Sequence, residues 1–202
     1  MNEKQTLLNT IKANHPTANI ELVEHAYEYA QKAHAGQMRL SGEPYFKHVL
    51  ATAQKLADWK LPDTIVAAGL LHDVPEDTST TPQGVEQQLK DIEQQFSPDI
   101  ASLVAGVTKL GKVQYHGVER YAENLRKMFL AVASDVRVIF IKFADRIHNL
   151  EDLEVVPEAK RLRIAKETLE IYAPIANRLG MGAIRGELED LSFKYVHPEE
   201  YA

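Results

Sequence analysis

The chain of 202 residues has no cysteine. That absence excludes a disulfide framework, a thiolate nucleophile and any sulfur-based zinc site. It also lacks an excess of positive charge. Lys and Arg number 23 against 29 Asp and Glu, a net charge of −6 with a pI near 5.8. A general nucleic-acid surface needs a basic stripe to displace counterions from phosphates, so none is expected. No apolar run approaches the roughly 18 residues of a membrane-spanning helix. The N-terminus MNEKQTLLNT lacks the apolar stretch of a secretory signal. Repeats, low-complexity stretches and linkers are missing too. What remains, 45% hydrophobic and 26% charged residues, is ordinary for a soluble globular protein. The expectation is one domain over residues 1–202, cytoplasmic, with no nucleic-acid or membrane partner.

Apolar spacing is helical almost throughout. Within 19–34, Ile20, Val23, Ala26, Tyr27 and Ala30 recur at steps of three and four, as one helix face requires. Gly36 follows as a stop, and GQMRLSGEP reads as a polar loop. Further helices are expected at about 45–59, 62–72 (Pro62 in its first turn), 84–95, 98–109, 119–133, 135–153, 158–178 and 182–195. Segment 75–84, with Pro75, Pro82 and Gly84, reads as a loop or frayed turn, and 110–118 as a loop. The run Val136–Ile141 has strand-like residues, but flanking Asp135 and the charged face Lys142, Asp145, Arg146 make it a buried helix. The fold class is all-α.

Chemistry is concentrated where polar residues interrupt apolar faces. His72-Asp73 ends the apolar run IVAAGLL, Asp145 interrupts VIFIKFADRIHNL, and His48 sits within PYFKHVLATA. A carboxylate buried beside an imidazole is costly unless it is paired or coordinates a metal. Singly, each has a plain alternative: a satisfied core histidine, a helix cap, a surface ion pair. Together, two imidazoles and two carboxylates without sulfur suit Mn²⁺, Mg²⁺ or Fe²⁺ better than closed structural zinc. Glu76 and Asp77 follow Asp73 by three and four residues. If the helix continues, they lie one turn on along the ligand face, able to orient and deprotonate a water; otherwise they are a solvated acidic turn. Arg39, Lys109, Lys112, Arg120, Arg126, Lys127, Lys142 and Arg146, with Asn149, are the candidates for gripping a phosphorylated ligand.

The order His…His-Asp…Asp resembles the HD phosphohydrolase superfamily. More specifically, HAGQMRLSGEPYFKH, GLLHDVPEDT, VTKLGK, AENLRKM, KFADRIHNL and KETLEIYAPIANRLGM together resemble the hydrolase domain of RelA/SpoT homologues, from about residue 20 onward. That resemblance implies a bundle of about ten helices and one Mn²⁺ held by His48, His72, Asp73 and Asp145. It implies that Glu76 and Asp77 activate the attacking water, and that the 3′-pyrophosphate of ppGpp or pppGpp is removed as pyrophosphate, leaving GDP or GTP. It also implies that Arg39 packs on the base, with Ser41, Tyr45 and Asn149 lining the nucleoside pocket.

Five positions depart from the family pattern. Leu40 stands where Lys is common, Glu151-Asp152 where Arg-Thr is usual, Gly111 where Asp is usual, and Pro75 where an aliphatic residue is usual. None is a metal ligand. Leu40 and Asp152 fall near the nucleoside pocket, so an adenosine 3′-pyrophosphate stands as an alternative substrate. A nucleotide-sensing domain without turnover is the rival from another class. All four ligand positions and both acidic positions are filled, which favours the enzyme. Of the other histidines, His34 is expected to shape the pocket wall, with His116 and His197 solvated. IRGELEDLSFKYVHPEEY resembles the helix that leads to a synthetase domain in long relatives, and no synthetase motif is present.

Overall fold

A computed structural model describes residues 2–111, 126, 130 and 133–201. The described residues form helices and short connections, as the apolar spacing predicts. Most of the expected helix 119–133, most of the loop 110–118, and Lys112, His116, Arg120 and Lys127 lie outside them. In chain order the elements are α1 (Glu3–Asn14), α2 (Ile20–Ala33), α3 (Phe46–Asp58), α4 (Asp63–Leu71), α5 (Val74–Asp77), α6 (Pro82–Gln95), α7 (Pro98–Gly111), α8 (Arg137–Glu151), a 3₁₀ turn (Leu153–Val155), α9 (Glu158–Glu167), a π turn (Thr168–Tyr172), α10 (Ala173–Arg178), α11 (Gly182–Val196) and α12 (Pro198–Tyr201).

The chain forms two compact units. The first comprises Met1–Gln37 and Pro44–Lys142; the second comprises Met38–Glu43 and Phe143–Ala202. In the first unit α4 is the central element. Its residues Ile65–Leu71 are all buried, and it packs against α2, α3 and α7. A helix apolar on every side is stable only when surrounded, which is why IVAAGLL has no amphipathic stripe. Gly69 permits the close crossing of α3 and α4, because a Cβ there would collide with the Leu56 side chain. Burying each of Leu56, Leu70 and Leu71 fully contributes about 1.5–3 kcal/mol. In the second unit α9, the π turn and α10 pack on α11, with Ile171, Ala176 and Leu188 inside.

Four local outcomes differ from the sequence expectations. Helix α1 was not foreseen; Asn2 caps it through a side-chain bond to the Lys4 amide, and Leu7, Leu8 and Ile11 bury its inner face. Pro75, expected to disturb the helical path, instead sits at the start of α5, where a missing backbone N–H costs nothing. Pro82 likewise opens α6 two residues earlier than expected, with the Thr81 hydroxyl capping the Gly84 amide. The long helix 158–178 is present but is interrupted by the π turn. The Ala173 amide reaches back five residues to the Thr168 carbonyl. This widening immediately precedes Pro174, whose ring would otherwise press on the turn before it.

Candidate functional site

The first unit brings His48, His72, Asp73 and Tyr45 together. His48 lies on the buried face of α3, and His72 directly follows α4, so both imidazoles emerge from core-packed elements. Their Nε2 atoms stand 3.5 Å and 3.2 Å from the same oxygen, Oδ2 of Asp73. The Tyr45 hydroxyl donates to that oxygen at 2.8 Å. His72 Nδ1 lies 2.7 Å from the Gly69 carbonyl, an acceptor that fixes a proton on Nδ1. Nε2 of His72 therefore carries either a second proton or a lone pair directed at a cation. Nitrogen and oxygen donors converging in a buried, sulfur-free pocket suit a hard or borderline divalent metal. Burial pushes the Asp73 carboxyl up, but the adjoining His72 and His48 imidazoles outweigh it and hold the group well below the usual carboxylate range.

The acidic pair lies one turn further. The Glu76 and Asp77 amides both bond to the Asp73 carbonyl, at 3.1 and 2.9 Å. Helix α5 thus continues from the ligand doublet, the condition under which these carboxylates share its face. Burial and the neighbouring Asp73 charge raise the Asp77 carboxyl above its ordinary value. The Tyr45 hydroxyl is raised by burial, Asp73 and Asp77, and so stays protonated as a donor. Glu76 borders a groove of about 260 Å³ with Ser79, Thr80, Thr81, Pro82 and Val85. His34, 2% exposed, stacks on Tyr45 with ring centres 5.0 Å apart and bonds through Nδ1 to Gln37 Oε1 at 2.8 Å. Gln37 Nε2 in turn donates to the Asp77 carbonyl at 3.1 Å. His34 thus packs beside Tyr45 and is linked through Gln37 to the Asp77 backbone. Lys109 is exposed in the last turn of α7, and Lys142 is half-buried on α8.

The second unit holds Arg39, Ser41, Asp145, Arg146 and Asn149. Asp145 is 5% exposed on α8 and accepts a hydrogen bond from Asn149 Nδ2. Asn149 Oδ1 accepts from Arg39 Nη2 at 2.6 Å. Arg39 Nη1 also reaches His148 Nδ1 at 2.9 Å and forms an ion pair with Asp152 at 2.8 Å. Sequence reasoning gave His148 no role and treated Asp152 only as a departure; their spacing from Asn149 on one helical turn was the available signal. Ser41 is exposed in the loop. Arg146 points into the interior: Nη2 donates to Glu167 Oε1 at 2.9 Å, and the guanidinium lies 4.1 Å from the Tyr172 ring centre. Burial opposes its charge, yet Tyr172, Glu167 and Asp145 raise its pKa and keep it protonated.

Known proteins resemble this chain over most of its length. The chain is 47% identical over 196 residues to a GTP pyrophosphokinase of Myxococcus xanthus, covering 95% of this chain and 25% of that protein. It is 45% identical over 202 residues to the GTP pyrophosphokinase rsh of Brucella abortus, covering 100% of this chain and 26% of the relative. It is 47% identical over 188 residues to the guanosine-3′,5′-bis(diphosphate) 3′-pyrophosphohydrolase of Aquifex aeolicus, covering 93% and 26%. The chain thus spans about a quarter of the length of these curated relatives. The family model described as HD domain matches residues 26–182, a stretch that contains His48, the His72-Asp73 doublet, Glu76, Asp77 and Asp145. A helical core carrying the His72-Asp73 doublet, matched over that length, makes this chain a member of the HD-domain family.

Proposed function

We propose that this chain, as a single catalytic domain over residues 1–202, removes the 3′-pyrophosphate of ppGpp and pppGpp by hydrolysis, releasing GDP or GTP and pyrophosphate. The observation that carries the reading is the convergence of His48 and His72 on one Asp73 oxygen, with Glu76 and Asp77 one helical turn beyond. The relative from Aquifex aeolicus, named for this reaction, supports the substrate class.

His48, His72, Asp73 and Asp145 would hold the cation, proposed as Mn²⁺ because imidazole and carboxylate donors without sulfur suit it. When bound, such a cation supplies Lewis acidity to the phosphoryl oxygens. The remaining work belongs to the chain's own residues. Glu76 takes a proton from the attacking water, whose oxygen forms the new P–O bond while the bond from phosphorus to the ribose 3′-oxygen breaks. The departing oxygen takes up a proton to become the 3′-hydroxyl of the product. Asp77, its carboxyl raised by burial and by Asp73, acts beside Glu76 and takes up a proton more readily than an ordinary Asp. Tyr45 orients Asp73 through its hydroxyl. Arg39, with Ser41 and Asn149, binds the nucleoside, and Lys109 and Lys142 supply charge for the phosphates. Arg146, paired internally with Glu167, supports the helix that carries Asp145. No helix among the described residues is long and apolar enough to cross a membrane, and a cytoplasmic location is proposed, where nucleotide substrates are found.

The test is hydrolysis of ppGpp by metal-stripped protein with and without Mn²⁺, with an adenosine 3′-pyrophosphate in parallel and products resolved by ion exchange. Mn²⁺-dependent release of GDP and pyrophosphate supports the reading. Glu76→Gln should keep the metal and lower kcat by about 10²–10⁴-fold, the usual worth of a general base. Metal binding without turnover of either nucleotide overturns it and leaves a sensing domain.

A further inference from the structure

The second unit contains a device that the proposed reaction does not by itself require. The loop Met38–Glu43 closes on itself: the Arg39 amide donates to the Glu43 carbonyl at 2.8 Å, and the Gly42 amide donates to the Arg39 carbonyl at 3.0 Å. Gly42 adopts φ +82° to make this turn, a conformation that glycine takes without strain. The Arg39 backbone is therefore held at one end of a long side chain. The other end is held as well. His148 and Asp152 are one helical turn apart, so both reach Nη1, at 2.9 and 2.8 Å, while Asn149 takes Nη2 at 2.6 Å. The guanidinium is gripped along its edge by groups from the end of α8 and the residue that follows it.

We propose that Asp152 is a positioning residue for nucleotide binding, fixing the plane of the Arg39 guanidinium so that Arg39 meets its ligand with its flat face. The inference rests on the proposed function only for the class of ligand. Its physical basis is local. A guanidinium forks onto phosphate through its edge N–H groups and stacks on a base through its face. Here the Nη1 and Nη2 edges are engaged, and the Asp152 carboxylate matches the positive charge. Arg39 is thereby turned from a phosphate-seeking cation into a flat, preorganised platform for a purine. Such a platform acts on binding in ground and transition states alike, so it bears on KM and leaves kcat. Asp152 belongs to the second unit, whereas the acidic pair and the His-Asp doublet belong to the first. Its action on the ligand runs through the ion pair with Arg39.

The experiment is a double-mutant cycle between Asp152→Asn and Arg39→Ala in the metal-loaded chain, with Asp152→Glu as the conservative control. It is read by KM and kcat for ppGpp and by the Kd of GDP from calorimetry. Both pair members are part-buried, so Asp152→Asn should raise KM and the GDP Kd about fivefold, near the upper worth of a partly exposed ion pair. The same substitution should leave kcat within about twofold, and Asp152→Glu should restore most of the affinity. In the Arg39→Ala background, Asp152→Asn should have no further effect. Unchanged KM and Kd in Asp152→Asn, or an equal loss with and without Arg39, overturns the inference. Failure of the wild-type chain to hydrolyse ppGpp overturns the proposed function alone, because the GDP cycle still decides the role of Asp152. Absence of binding by both nucleotides overturns both.

Discussion

The placement of Arg146 separates a substrate cation from a structural one, and Glu167→Gln distinguishes them. In the folded chain the two side chains are 12% and 13% exposed, joined at 2.9 Å, with the Tyr172 ring beneath the guanidinium at 4.1 Å. Removing one member of a buried pair costs about 3–5 kcal/mol, because the remaining charge keeps its desolvation penalty. The Gln amide still accepts a hydrogen bond, and the ring still stabilises the cation by about 1–2 kcal/mol. The expected loss is therefore about 2 kcal/mol, below the range for outright removal. For a chain of this size, that corresponds to a fall in Tm of about 4–8 °C. Scanning calorimetry at neutral pH measures it, and repeating the scan in 1 M salt checks burial, since an exposed pair would be screened. Replacing both residues by apolar ones, Arg146→Met with Glu167→Leu, should cost much less than the single change. A Tm within about 2 °C of wild type together with a shifted KM for ppGpp would refute this reasoning and return Arg146 to the substrate.

Asp73→Asn should abolish Mn²⁺ binding measured by calorimetry, since it removes the anionic oxygen on which both imidazoles converge; retained affinity would move the site elsewhere. The same carboxyl sets an acid limit. Its folded pKa is depressed, so the stability it contributes to the metal-free chain is present above the ordinary Asp value of about 3.9 and is lost as pH falls below it. Thermal unfolding of metal-free protein should show that loss in wild type and a smaller one in Asp73→Asn. Gly69→Ala should destabilise by about 1–3 kcal/mol, because the added methyl meets Leu56 at the crossing of α3 and α4; an unchanged urea midpoint would contradict the close approach.

The sequence by itself determined the helical class, because a period of three to four apolar residues admits no strand. It also determined the identity of the chemical groups. His48, His72, Asp73 and Asp145 were visible as polar intrusions on otherwise apolar faces, and burying such groups demands a partner. Local chemistry misled where competing local signals were weighed without their neighbours. Pro75 reads as a breaker, yet placed in the first turn of α5 it lacks only a hydrogen bond that no helix start makes. Helix α1 passed unread because three apolar residues, Leu7, Leu8 and Ile11, define a face only once there is a core to receive them. The convergence of two imidazoles on a single oxygen of Asp73, and the grip of His148, Asn149 and Asp152 on an arginine more than a hundred residues earlier in the chain, were decided by tertiary structure alone. So was the difference between Arg39, held with its charge matched near a surface loop, and Arg146, sealed against Tyr172 and Glu167. Sequence spacing fixes which side chains share a helix face. Which of those faces meet, and at what distance, depends on how whole helices pack, and no local periodicity encodes that.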